Sequence, residues 1–82
     1  MRGNPVARAT SATGQWVYTL YHRDSGSPFV HALNAAQRYA VCIDLTAQAA
    51  NGLRLSKDGR QLTVRLNGST VSTVDTRSFK VT

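Results

Sequence analysis

The residues best suited to chemistry lie in one polar loop. His22, Asp24, Ser25 and Ser27 fall within six residues, and a base, a carboxylate and a hydroxyl nucleophile are the groups that hydrolases combine. A working triad also needs an aligned base and an oxyanion hole, whereas Ser, Asp and Gly are the ordinary residues of a turn. We interpret this loop as a turn and predict that the protein is not an enzyme.

A second group of reactive residues is His31, Cys42 and Asp44. A cysteine beside a histidine can act as a nucleophile, and all three residue types ligate metals. A single cysteine is more often a small hydrophobic residue of a core, so we expect these residues to pack in the core or on the second face of a sheet, and we predict no metal site. The chain has no Gly-x-Gly-x-x-Gly and no Gly-Lys-Ser pattern. No nucleotide or other cofactor is predicted.

The aromatic residues indicate where a ligand can bind. Trp16, Tyr18 and Leu20 alternate along one segment, which predicts that they share one face of a strand and pack in a core. Tyr21 ends that segment beside the polar loop, where an aromatic ring and charged side chains suit a protein or carbohydrate ligand. The predicted ligand-binding residues are Trp16, Tyr21, His22, Arg23 and Asp24.

The elements that must position these residues belong to a small globular protein. Its 82 residues are 41% hydrophobic and 17% charged, which is too apolar for a disordered segment. A core of this size is marginal, and the single cysteine excludes an internal disulfide framework. We expect neighbours to stabilise the chain, as the rest of a longer chain or as further copies.

The net charge of +6 comes from ten Lys and Arg residues against four Asp and Glu residues. Such an excess favours nucleic acid, anionic lipid or acidic protein as a partner. The basic residues are spread singly along the chain, which is more typical of a solvated surface. No stretch approaches the roughly 20 apolar residues of a membrane span, and the first residues lack the apolar centre of a signal peptide. The compartment stays unassigned.

Strand patterns run through the chain from Gly14 onward, and no segment has the pattern of a long helix. The first 13 residues mix small and polar types and predict a loose arm or a weak first strand. Asn67-Gly68 suits the positive φ angles of a type I′ hairpin turn, and Asp58-Gly59 marks another turn. The predicted strands are 16–21, 29–33, 39–45, 53–55, 62–66, 71–75 and 78–81. The predicted fold class is all-β.

The two halves of the chain resemble each other. Gly14 precedes one strand as Gly59 precedes another, at an offset of 45 residues, and 30–34 matches 71–75 at an offset of 41. A longer hairpin loop in the first half explains the difference, and periods of about 40 to 50 residues are typical of propeller blades. We divide the chain into an arm or weak strand (1–13) and two blade-like repeats (14–46 and 47–82).

The second half resembles a known family of repeats. Leu55-Ser56-Lys57-Asp58-Gly59 leads into a strand, and Asn67-Gly68-Ser69 leads into Val71-Ser72-Thr73-Val74-Asp75-Thr76. This pattern is similar to the blade repeat of YVTN-type and WD-like β-propellers, over about 51–82, with 14–45 as a looser copy. Because a propeller blade is a four-stranded antiparallel sheet, the resemblance implies two such blades.

Two blades cannot close a ring of about four to eight. The resemblance implies a scaffold or binding module that is a fragment of a larger propeller or assembles from identical copies. The rival fold is a small β-barrel or sandwich that needs no partner. A basic barrel would bind nucleic acid, with an affinity that falls steeply with salt, and a third alternative is a carbohydrate-binding, lectin-like blade pair.

Overall fold

The computed structural model describes residues 4–23 and 26–82. Within these ranges the protein has two antiparallel sheets and no helix, which confirms the all-β prediction. The first sheet has the order β1-β2-β3-β4, and the second has the order β5-β6-β7. The strands are β1 (Asn4–Thr10), β2 (Trp16–His22), β3 (Phe29–Asn34), β4 (Tyr39–Asp44), β5 (Gly52–Leu55), β6 (Gln61–Leu66) and β7 (Ser69–Asp75). No helix in the described ranges is long and apolar enough to cross a membrane.

Each strand of the first sheet pairs with its neighbour in sequence. β2 pairs with β3 residue for residue, from Trp16 opposite Asn34 to Tyr21 opposite Phe29. β1 is a strand of seven residues whose register shifts once, between Pro5 and Ala7. Of the two alternatives for the start of the chain, an arm or a first strand, the structure has the strand.

The second sheet is a meander whose tightest turn lies at Asn67-Gly68. These residues have φ angles of 52° and 87°, and two successive positive φ angles are what a type I′ turn requires. The side chain of Asn51 and that of Asn67 are joined by an amide hydrogen bond of 3.0 Å beside this turn. The hairpin predicted from the Asn-Gly pair is present.

After β7 the chain turns back along the edge of the second sheet. Val81 forms an isolated bridge with Val74, and Thr73 and Thr82 exchange backbone hydrogen bonds of 2.9 and 2.8 Å. The predicted strand at 78–81 is wrong in its extent, because its first half belongs to the turn.

The turns that lead into β2 and β6 have the same hydrogen bonds. In the first turn, Ser11 N–H donates to the carbonyl of Trp16, and Trp16 N–H donates to Ser11 Oγ at 3.0 Å. In the second turn, Ser56 and Gln61 make the same two bonds, at 2.9 and 3.1 Å. Ser11 and Ser56 are therefore equivalent positions, 45 residues apart.

A glycine and an acceptor side chain complete each of these turns. Gly14 and Gly59 each donate N–H to the serine carbonyl at 2.9 Å, with φ angles of 75° and 72°. Thr13 and Asp58 each accept the backbone N–H two residues on, at 3.4 and 3.0 Å. Because glycine adopts positive φ without strain, it suits both positions.

The turns that follow β3 and β7 also match. The Oδ1 atoms of Asn34 and Asp75 both accept backbone N–H groups within the following three residues. The carbonyls of these two residues accept from Arg38 N–H at 2.8 Å and Phe79 N–H at 2.7 Å. Both donors have positive φ angles, 58° and 59°. Asn34 and Asp75 are separated by 41 residues.

The core lies between the two sheets. When equivalent residues of the two sheets are aligned by their matching turns, the face that one sheet buries is the face that the other turns outward. Tyr18 and Leu20 of the first sheet are 2% and 0% exposed. The residues 45 positions later, Thr63 and Arg65, lie on the face of the second sheet that points away from the core. The core residues are Tyr18, Leu20, Val30, Ala32, Ile43, Leu45, Ala50, Leu62, Val64 and Val74.

The opposite arrangement holds for the residues that alternate with these along the strands. Leu62 and Val64 of the second sheet are fully buried, whereas the equivalent Val17 and Thr19 lie on the face of the first sheet that points away from the second. The sheets thus stack in the same sense, with the front of one against the back of the next.

This stacking leaves two outer faces of different character. The outer face of the first sheet is the side that points away from the core, and it carries the apolar residues Val17, Tyr21, Phe29 and Leu33. The outer face of the second sheet carries Arg54, Gln61, Thr63, Arg65, Thr73 and Asp75. The outer face of the first sheet thus carries several large apolar side chains among polar ones, whereas that of the second sheet is mostly polar.

Candidate functional site

The outer face of the first sheet carries an aromatic cluster where β2 ends and β3 begins. The rings of Tyr21 and Phe29 are stacked with centroids 5.1 Å apart, and the ring of His31 lies edge-on to Tyr21 at 6.2 Å. Phe29 is only 1% exposed, because Tyr21 and Arg23 cover it.

Arg23 is held in place by three contacts. Its Nη2 donates to Asp44 Oδ1 at 2.7 Å, its Nη1 donates to the carbonyl of Ser27 at 3.2 Å, and its Cζ lies 4.5 Å from the centroid of the Phe29 ring. These contacts tie the β2–β3 connection to the sheet. His22 is exposed at the end of β2, while Asp24, a predicted ligand-binding residue, lies outside the described residues.

The hydrolase-like group in the same loop has two members outside the described residues, Asp24 and Ser25. Ser27 contributes its backbone carbonyl to Arg23. Nothing in the described part of the loop places a base beside a hydroxyl.

Trp16 lies at the other end of β2 from Tyr21. Five residues of strand separate the two side chains by roughly 17 Å, and they point to opposite faces. Trp16, Tyr21, His22 and Arg23 stay predicted ligand-binding residues, but the four do not share one site. The structure puts Trp16 in one place and the other three in another.

Trp16 packs against a ring of aromatic side chains at its end of the core. Its ring is stacked on Tyr18 at 6.0 Å, and it meets Tyr39 and Phe79 edge-on at 5.8 and 5.6 Å. Burial raises the pKa of the Tyr18 hydroxyl, and a hydrogen bond to Thr76 acts in the opposite direction. Trp16 itself remains partly exposed.

A cleft of about 460 Å³ opens beside Trp16, between the two serine turns. We call it the turn cleft. It combines an aromatic surface with hydroxyl groups, one carboxylate and one ammonium group. Its polar and aromatic lining consists of Thr10, Ser11, Thr13, Trp16, Ser56, Lys57 and Asp58.

Asp58 is the acidic group of the turn cleft, and its Oδ1 is tied to the turn. Ser56 Oγ donates to this atom at 2.5 Å and Arg60 N–H at 3.0 Å. These two bonds, the serine first, hold the pKa of Asp58 below its ordinary value. Asp75, in the later turn, has a lowered pKa because it accepts the N–H groups of Arg77 and Ser78.

The lowered pKa values of Asp58 and Asp75 predict that the two turns stabilise the folded state less at acid pH. A carboxylate with a depressed pKa stabilises the folded state above its unfolded pKa, about 3.9, and the contribution is lost as the pH falls through the folded value. We expect Ser56→Ala to raise the pKa of Asp58 and leave that of Asp75 unchanged, since Asp75 has only backbone donors. Carboxyl-carbon NMR titration measures both pKa values. An unchanged pKa of Asp58 would show that the hydrogen bond from Ser56 is not the main cause of its lowered value.

Of the reactive residues His31, Cys42 and Asp44, the structure brings the first two together on the outer face of the first sheet. His31 and Cys42 are direct partners across β3 and β4, but Asp44 is engaged with Arg23. Cys42 is a free and exposed thiol. Cys42 therefore does not belong to the core, because it lies on the outer face of β4, an edge strand of the first sheet. Within 4–23 and 26–82, no group of three or more His, Cys, Asp or Glu residues could hold a metal ion.

Two residues of the turn cleft, Lys57 and Asp58, were missed as site residues by sequence reasoning. Their segment was interpreted only as a turn before a strand. The available signal was the repeat, because the alignment of Gly14 with Gly59 also aligns the turn beside Trp16 with the turn that holds Asp58.

No protein-family model, no curated protein and no solved structure matches the chain. The functional interpretation depends on the turns, the faces and the cleft described above.

Proposed function

We propose that the chain is a pair of β-propeller-type blades that acts as a non-enzymatic scaffold or binding module within a larger propeller. The observation that carries this proposal is the same-sense stacking of the two sheets. In a propeller, blades are repeated radially around an axis, each packed on the next.

The matching turns support a repeat. The serine turns at Ser11 and Ser56 share their hydrogen bonds, and so do the turns at Asn34 and Asp75. Ala35 N–H donates to the carbonyl of Gln15 at 2.7 Å, and the equivalent residues 76 and 60 make the same bond at 3.0 Å. Three separate sets of contacts therefore recur with the two offsets found in the sequence.

The apolar outer face supports a missing neighbour. Val17 and Leu33 occupy the positions that Leu62 and Val74 occupy in the second sheet, where the first sheet covers them. Apolar surface at these positions is stabilised by a further sheet packed in the same way.

The polar outer face favours a larger propeller over a ring of identical copies. Such a ring would press the outer face of one first sheet against the outer face of another second sheet. Arg65 and Asp75 would then lose water against Val17 and Leu33, and a buried charge without a partner is costly. A different sheet can supply matching polar groups.

The proposal predicts that the isolated 82-residue chain associates through the outer face of its first sheet. Light scattering is expected to give a mass above the 8.9 kDa of one chain. Leu33→Lys places a charge on that face, and we expect it to restore the monomer mass.

The matched control is Thr63→Lys, which adds the same charge to the outer face of the second sheet and should leave the mass unchanged. A wild-type chain that is a folded monomer would contradict the proposal and favour a self-sufficient sandwich. The proposal would also be contradicted if Leu33→Lys and Thr63→Lys had the same effect on the mass.

A further inference from the structure

We propose that the turn cleft binds a pyranose sugar on the exposed part of Trp16. This inference names a ligand class for the binding module proposed above and rests on the stacking of its two sheets, because the cleft is formed by a turn from each. Its centre is the partly exposed indole, with Lys57 and Asp58 on the facing turn.

The aromatic part of the site is held rigidly. Trp16 is stacked on Tyr18 and met edge-on by Tyr39 and Phe79, so its indole needs little ordering when a ligand arrives. The C–H face of a pyranose packs on such an aromatic surface, while its hydroxyl groups require polar partners.

The polar part of the site supplies those partners. Asp58 accepts both of its described hydrogen bonds through Oδ1, and its Oδ2 has no partner among the described residues. An aspartate is ionised at neutral pH, so Oδ2 is a charged acceptor for a sugar hydroxyl, and such bonds are stronger than neutral ones. Lys57 adds a donor on the same exposed turn.

The cleft suits a neutral sugar better than a nucleic acid. Asp58 would repel a phosphate backbone, and Lys57 is the only basic residue among those that line the described cleft. A volume of about 460 Å³ is within the range of small-molecule sites.

Trp16 is the only tryptophan of the chain, so intrinsic fluorescence reports directly on the site. The probes are methyl α-glucoside, methyl α-mannoside, methyl β-galactoside and N-acetylglucosamine, titrated into the 82-residue chain. We expect at least one to change the fluorescence saturably, with a millimolar dissociation constant, and to be confirmed by saturation-transfer NMR.

Asp58→Asn and Lys57→Ala test the polar groups. Loss of the charged acceptor is expected to weaken binding about tenfold or more, while Asn can still accept the bond from Arg60 N–H. The matched control is Asp75→Asn, which makes the same change in the later turn and should leave binding unchanged. Circular dichroism verifies that each variant is folded.

The proposal is overturned if none of the four sugars changes the fluorescence of the folded chain. It is also overturned if Asp58→Asn and Lys57→Ala bind as tightly as the wild type. These outcomes are separable from those for the proposed function, because light scattering with Leu33→Lys probes the opposite side of the first sheet.

Discussion

Leu20→Ala is expected to remove a large part of the chain's free energy of unfolding. Leu20 is fully buried in the core that both sheets build, and truncation of such a leucine costs about 2–5 kcal/mol. At roughly 0.05–0.15 kcal/mol per residue, a protein of this length has a total stability of only about 4–12 kcal/mol. Urea unfolding, followed by the fluorescence of Trp16, measures the loss.

The matched control for Leu20→Ala is Leu33→Ala, the same change on the outer face of the first sheet. Leu33 is only partly buried, so we expect a loss of about 1 kcal/mol or less. In dilute solution, where the chain is a monomer, equal losses for the two variants would contradict the arrangement described above, in which the second sheet covers only one face of the first.

Gly14→Ala and Gly59→Ala are expected to destabilise the protein by nearly the same amount. Both glycines have φ near 75°, and an added Cβ would meet nothing within 4 Å in either turn. The cost is therefore that of the left-handed backbone, about 1–2 kcal/mol for each residue. The double variant should lose about 2–4 kcal/mol, because neither added Cβ meets a neighbour and the effects of sites with no shared partners usually add.

Gly52→Ala is the control for the backbone effect. Gly52 does not have a positive φ, and its added Cβ would lie 3.6 Å from Arg65 Cβ, an ordinary contact. We expect a change within about 0.5 kcal/mol. Clearly unequal losses at Gly14 and Gly59 would count against the equivalence of the two serine turns.

The strands and tight turns were predictable because their signals are local. Alternation of apolar residues placed β6, and the Asn67-Gly68 pair specified both the type and the position of its turn. The Ser-x-x-Gly turns were also visible as a spacing of 45 residues between Gly14 and Gly59.

The prediction that Tyr18 and Leu20 of β2 pack in the core was correct. Alternation alone could not decide, however, which face of the strand is the more deeply buried. Trp16, Tyr18 and Leu20 alternate with Val17 and Tyr21, so both faces of the strand are apolar. Packing between the sheets decides which face becomes the core. For Cys42, burial also depended on whether a further sheet covers an edge strand, and the sequence contains no local signal for that.

The candidate site was the least predictable part. Trp16 and Tyr21 are close in sequence, yet a strand separates them and points them to opposite faces. Conversely, Trp16 and Asp58 are far apart in sequence and meet at one cleft because the sheets stack in the same sense. Such proximity depends on the tertiary arrangement rather than on local pattern.

The unequal outer faces also predict that the chain does not form filaments. Front-to-back contact is a heterologous contact, and such contacts propagate into open fibres unless the geometry closes. Here the mostly polar outer face of the second sheet, with Arg65 and Asp75, offers little apolar surface for another copy to extend the stack. Growth is blocked at one end, so concentrated solutions of the chain should contain small closed species rather than long polymers.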